Sequence, residues 1–162
     1  MTQTAEDRLK SLNIVLPEAA VPAANYVSWA ISGNLLFTAG QLPLRDGKLI
    51  ATGLLGRDLD VPEAQAAARQ CAVNILSQAK AALGDLERIV RVVKITAFVA
   101  STPVFVSQHL VANGASDLIA EVLGEKGRHA RSAVGVASLP LNAAVEIEAV
   151  LEFKREAIYA SL

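Results

Sequence analysis

The sequence predicts an α+β fold, a mixed β-sheet with two helices packed on one face. Three observations predict it. The segments run strand–strand–(strand)–helix–strand–helix–strand–strand, an order that suits a sheet layered against helices. The helical segments carry apolar residues at 3.6 spacing, whereas the others alternate or are β-branched. The chain is 52% hydrophobic and 19% charged over 162 residues, which is ample for one core and excludes disorder as its main state.

Each element has its own signal. Ala5–Leu12 (AEDRLKSL) reads as a short helix, with Thr4 as N-cap and Leu9 and Leu12 on one face. Pro17 and Pro22 bracket a loop. From Tyr26 to Ser32 residues alternate, Gly33-Asn34 turns, and Leu35–Ala39 resumes as strand, which together make a hairpin. Arg45-Asp46-Gly47-Lys48 is a polar turn before a short piece, Leu49–Thr52. Asp60 caps a helix that Pro62-Glu63 begins and Gly84 ends, with Ala68, Cys71, Ala72, Ile75, Leu76 and Ala79 at helical spacing. Val90–Ala100 (VRVVKITAFVA) is β-branched and reads as a central strand. Ser101-Thr102-Pro103 opens a second helical region, clearest over Ala115–Leu123, which Gly124–Gly127 ends. Arg131–Ala137 and Ala144–Phe153 then read as two strands of a closing hairpin, and Lys154–Leu162 as a short tail helix.

Composition limits the function. A net charge of −1 gives no electrostatic case for a nucleic-acid backbone or an anionic membrane as partner. The single cysteine, Cys71, offers neither a disulfide nor a metal-ligand pair and fits a reducing compartment. The N-terminus lacks a basic start followed by an apolar run, and no apolar run approaches the ~20 residues that span a bilayer, so a cytoplasmic protein is expected. An Ala-, Val- and Leu-rich chain with 4% aromatics leaves apolar surface to spare, which points to an oligomer.

No phosphate-binding loop, no HExxH and no nucleophile elbow is present. The residues left for chemistry gather near the C-terminus. Arg131 stands at the mouth of a strand, where a guanidinium grips a planar carboxylate or pairs with Glu146 or Glu148 across the hairpin. Glu146 and Glu148 are two apart and share a face, so Glu146 reads as a general base or as strand surface. His129, His109 and Tyr26 complete the candidates, with loop, helix-surface and core readings standing beside functional ones.

Asn25-Tyr26, then GNLLFTAGQLPL (Gly33–Leu44), VVKITAFV (Val92–Val99) and RSAVGVASLPLNAAVEIEAV (Arg131–Val150) follow one another in an order and spacing that closely resemble the YjgF/RidA family. This family is also called the reactive-intermediate deaminases or endoribonuclease L-PSP. The resemblance runs from about Tyr26 to Phe153, and the chain looks like a longer subgroup with an N-terminal helix, an NGASDL segment (Asn113–Leu118) and GRHARSAVGV. It implies a single domain over residues 1–162, with an extension over 1–25, the family core over 26–153 and a tail over 154–162. It further implies a chorismate-mutase-like fold and a homotrimer with a ligand cleft at each subunit interface. The activity implied is cofactor-independent hydrolysis of amino-acid-derived enamines and imines to 2-oxo acids and ammonia. The alternative is a trimer that only binds small carboxylate metabolites, and the near-neutral charge argues against RNA as substrate. By the resemblance, Arg131 holds the substrate carboxylate, Glu146 places the attacking water, Tyr26 lines the cleft and Gly40 forms the FTAGQ turn. His129 reaches toward the cleft; the family's cleft asparagine is missing from the second helix, where His109 lies near the equivalent place, and Asn113 supplies an amide if the register shifts. Ala133 stands where deaminase-active members often carry cysteine, and Asn25 replaces a proline.

Overall fold

A computed structural model describes residues 2–156. Helix α1 (Ala5–Ser11) begins at Thr4, whose hydroxyl accepts from Asp7 N–H while the Asp7 carboxylate accepts from Thr4 N–H. That capping box satisfies two otherwise orphaned donors. Strands β1 (Trp29–Ser32) and β2 (Leu35–Thr38) form the first hairpin around Gly33. It is shorter than the alternation predicts. Asn25–Ser28 bends instead, with Tyr26 N–H donating to Ala24 C=O and Ser28 Oγ to Ala20 C=O. Strands β3 (Leu44–Arg45) and β4 (Lys48–Leu49) pair across Asp46-Gly47, both at positive φ, the two-residue turn that Asp-Gly favours.

Helix α2 (Val61–Leu83) is capped by Asp60 and stopped by Gly84, as its signals predict. Strand β5 (Ile89–Ala100) follows, then α3 (Gln108–Leu123), β6 (Ala130–Val136) and β7 (Val145–Phe153). The sheet order is β1-β2-β7-β5-β6. Leu36, Ile95, Val99, Ile147 and Leu151 bury one face under α2 and α3. The alanine-rich sequence lets these layers close tightly. A Cβ at Gly114 of α3 would overlap the backbone carbonyl of Gln65 in α2.

Three sequence expectations change. Ser101–Pro103 is not helical: Ser101 N–H donates to Val136 C=O and Thr102 N–H to Leu55 C=O, so α3 starts only at Gln108. The expected closing hairpin does not form. Strand β5 lies between β6 and β7, parallel to the first and antiparallel to the second. The connection from Ala137 to Ala144 crosses the end of β5, turning on Leu141 and Asn142 at positive φ. An Arg131 ion pair with Glu146 or Glu148 across that hairpin is therefore excluded. Of the expected tail helix, Lys154–Glu156 is not helical and residues 157–162 lie outside the described ones.

Candidate functional site

Arg131 lies on the edge strand β6 opposite Ile95, whose side chain is buried under the helices. Side chains at paired positions share a face, so Arg131 points to the helix side, toward α3. There its Nη1 donates to Asn113 Oδ1 at 2.9 Å and to Ser116 Oγ at 3.1 Å, and its Nη2 donates to the backbone carbonyl of His109 at 3.1 Å. Asn113 and Ser116 are three apart on α3 and so face the same way. A guanidinium has five N–H groups. Nη1 uses both of its own and Nη2 one, which leaves the Nε–H and the second Nη2–H. Among the described residues no carboxylate pairs with Arg131. Its charge is held by neutral acceptors alone.

His129 joins this cluster through Ser116, with Nε2 2.9 Å from Ser116 Oγ and Nδ1 2.6 Å from Gly127 C=O. A carbonyl only accepts, so Nδ1 carries a proton. In the neutral ring Nε2 then accepts from the Ser116 hydroxyl. The polarity is continuous: Arg131 donates to Ser116, Ser116 to His129 and His129 to Gly127. His109 is exposed and supplies its backbone carbonyl, so Asn113 is the amide that meets Arg131. Ala133 sits two residues on, on the same face as Arg131, packed against the core.

A second cluster forms elsewhere. Glu146 on β7 lies opposite Phe98, with Val145 and Ile147 beside it facing the helices, so its own side chain points to the other face of the sheet. A Cβ at Gly40 would overlap the Glu146 carboxylate, so only glycine lets that loop lie against it. Burial raises the Glu146 carboxyl above its ordinary range, and Glu148 on the same face adds to the effect. On the helix side of the same strand, burial pushes the Cys71 thiol well up, which leaves it inert. Tyr26, 52% exposed, shares with Gly40 a cavity of about 110 Å³ beneath the loop that runs from Ala20 to Ser28.

Two clusters therefore emerge within one chain. Arg131, Asn113 and His129 meet at α3, and Gly40, at the turn after β2, lies against Glu146 on one side and shares a cavity with Tyr26 on the other. The chain does not bring the two together. Arg131 and Glu146 sit on strands separated by β5, three positions apart in register and on opposite faces. Sequence reading missed Ser116, although its i+3 spacing from Asn113 was the available signal. Among the described residues no group of three His, Cys, Asp or Glu side chains forms a metal site, and no helix is long and apolar enough to cross a membrane.

Residues 6–153 match the family model described as "YjgF/chorismate_mutase-like, putative endoribonuclease". The chain belongs to the YjgF family. It is 58% identical over 145 residues to Protein TCP17 of Trypanosoma cruzi, covering 89% of this chain and 91% of that one. The crystal structure of Atu1372 from Agrobacterium tumefaciens is similar, with TM-score 0.87, 63% identity and coverage of 93% of this chain and 92% of that one. The Escherichia coli protein TdcF, solved with bound serine, is more distant at TM-score 0.61 and 25% identity, covering 85% and 94%. YjgF membership accounts for the mixed sheet and for both helices lying on one face.

Proposed function

We propose that this protein hydrolyses small imines and enamines of 2-oxo acids to the 2-oxo acid and ammonia, without a cofactor. The observation that carries this reading is the Arg131 guanidinium, fixed by three neutral acceptors, free of a carboxylate partner among the described residues and left with one N–H edge. The Nε–H and the remaining Nη2–H match a planar carboxylate in a side-on, bidentate grip. Serine, the molecule bound in TdcF, also carries a carboxylate.

The remaining chemistry needs little activation. A protonated imine carbon is already electrophilic. With the carboxylate held, water placed by Glu146 adds to that carbon. Glu146 takes a proton from the water and returns it to nitrogen. The C–N bond of the tetrahedral adduct then breaks as the adduct's hydroxyl gives its proton to Glu146, so that ammonia leaves and the carbonyl forms. A carboxyl raised by burial suits this exchange of one proton.

Arg131 and Glu146 occupy opposite sheet faces, so one copy supplies each half of a cleft that a neighbouring copy completes. A homotrimer with clefts between subunits meets this requirement. The exposed Phe37 and Val134 on the helix-free side of the sheet supply apolar surface for such contacts. Ala133, in place of the cysteine common in active deaminases, favours a second reading, a trimer that binds small carboxylates without turning them over.

One experiment separates the two. Purified protein is mixed with freshly generated 2-imino acids, and ammonia release is followed against buffer alone. Acceleration that Arg131→Ala abolishes supports hydrolysis. Calorimetric binding of 2-oxo acids with no acceleration supports the binding reading. Neither result would leave Arg131 without a ligand.

A further inference from the structure

The hydrogen-bonded chain through Arg131 has one member whose charge can change near neutral pH, His129. Its Nδ1 donates to the Gly127 carbonyl. Gly127 is buried and lies so close to the Ile119 carbonyl of α3 that a Cβ there would overlap it. The Nδ1 bond forms with the ring neutral or protonated, so the ring keeps one place in both states. Nε2 behaves differently in the two. When neutral it accepts from the Ser116 hydroxyl; when protonated it donates to the same oxygen. Ser116 Oγ then accepts from His129 and from Arg131 Nη1 together, and two cations meet on one neutral oxygen. The other charged groups of these elements are engaged elsewhere or face solvent. Arg128 and Lys126 pair with Glu125 and Glu87. On α3 Glu121 pairs with Arg69 and Asp117 is exposed, and on β5 Lys94 is exposed. Among the described residues no carboxylate pairs with His129 or Arg131.

Resting on the reading of Arg131 as a carboxylate grip, we propose that His129 is a positioning residue that couples ligand binding to proton uptake. A carboxylate bound to Arg131 brings a proton from solvent onto His129 Nε2, and toward His129 the Ser116 hydroxyl turns from donor to acceptor. The reason is charge. Without a ligand, a proton on His129 sets two like charges on either side of Ser116 Oγ, which disfavours it. A bound carboxylate supplies the missing negative charge and removes that penalty. Because linkage is reciprocal, a ligand that favours the protonated ring is held more tightly when the ring is protonated. Histidines change charge between about pH 5 and 8, where a carboxylate stays ionised. Affinity for a 2-oxo acid therefore rises as pH falls through that range. The ring does not move in this exchange: Gly127 holds Nδ1 throughout, and only the proton between Nε2 and Ser116 Oγ changes its direction of donation.

The test is calorimetry on the full chain with pyruvate, at about pH 8 and about pH 6, in buffers of different ionisation enthalpy that count the protons taken up. The wild type is expected to bind about three- to tenfold more tightly at the lower pH, with net proton uptake. His129→Gln keeps an amide donor for Gly127 and an acceptor for Ser116 but cannot titrate. It is expected to bind pyruvate with one affinity at both pH values. Equal affinity without proton uptake in the wild type overturns the inference. So does a pH dependence that survives His129→Gln, as titration of Glu146 would leave. The wild type also reports the event directly, because His109 and His129 are its two histidines. At about pH 7, pyruvate should move the ring resonances of His129 toward their protonated positions, with His109→Gln giving the assignment. A shift confined to His109 overturns the inference even if His129→Gln does not fold. Binding with a flat pH profile removes this inference alone. No binding at either pH removes the Arg131 reading on which it rests.

Discussion

The two halves of the proposed cleft are built by opposite means. At α3 a permanent cation is fixed by hydrogen bonds to neutral groups, with Asn113, Ser116 and the His109 carbonyl setting the plane of Arg131. At the turn after β2 a titratable carboxylate makes no such bonds among the described residues. Glu146 is fixed by packing against Gly40 and changed by burial. A group that must grip in one plane is oriented by directional bonds. A group that must gain and lose a proton is left without donors that would hold it ionised.

The largest expected effect comes from removing the cation. Arg131→Ala should abolish saturable binding of 2-oxo acids by calorimetry, a loss on the order of 100-fold, and Arg131→Lys should restore little of it, because an ammonium lacks the fork. Next is Gly40→Ala. The new methyl displaces the Glu146 carboxylate while leaving Arg131 untouched, so kcat should fall about tenfold or more with KM changed less. If both constants moved together, the two halves would not be separable.

Smaller still is Ser116→Ala, which releases one Nη1 donor and unties His129; binding should weaken about five- to tenfold, with Asn113→Ala similar. The smallest effect concerns pH. A raised carboxyl binds its proton more tightly in the folded state than in the unfolded one, so stability falls as pH rises from the ordinary glutamate value of 4.5 through the raised one. Glu146→Gln should remove that decline in melting temperature measured across acid pH. Glu148→Gln should lower the Glu146 carboxyl slightly and move the acid limb of the rate profile downward.

Local signals made most elements legible. The cap at Asp60, the stop at Gly84 and the box at Thr4 are short-range chemistry, and each behaves as its residues require. The apparent closing hairpin misled because adjacency in sequence suggests pairing. A five-residue turn-rich spacer says nothing about a strand forty residues earlier that fits between β6 and β7. The same limit hid the division of the site. Arg131 and Glu146 lie fifteen residues apart in the chain, yet the sheet sets them on opposite faces, which only the inserted β5 makes visible. Ser116 lies within the NGASDL segment, but its role shows only once α3 sets it one turn from Asn113 and against Arg131.

That insertion also governs the order in which the molecule can assemble. Among the described residues β6 has no in-sheet partner other than β5, and it reaches β5 only after α3 has crossed over. Parallel pairing of this kind requires the intervening loop to close first, which makes it slow relative to local hairpins such as β1–β2. Every group that holds Arg131 belongs to this crossover unit. The groups that fix Arg131 therefore come together late in folding, and pulse-labelling exchange should find the amides of β6 protected after those of β1 and β2.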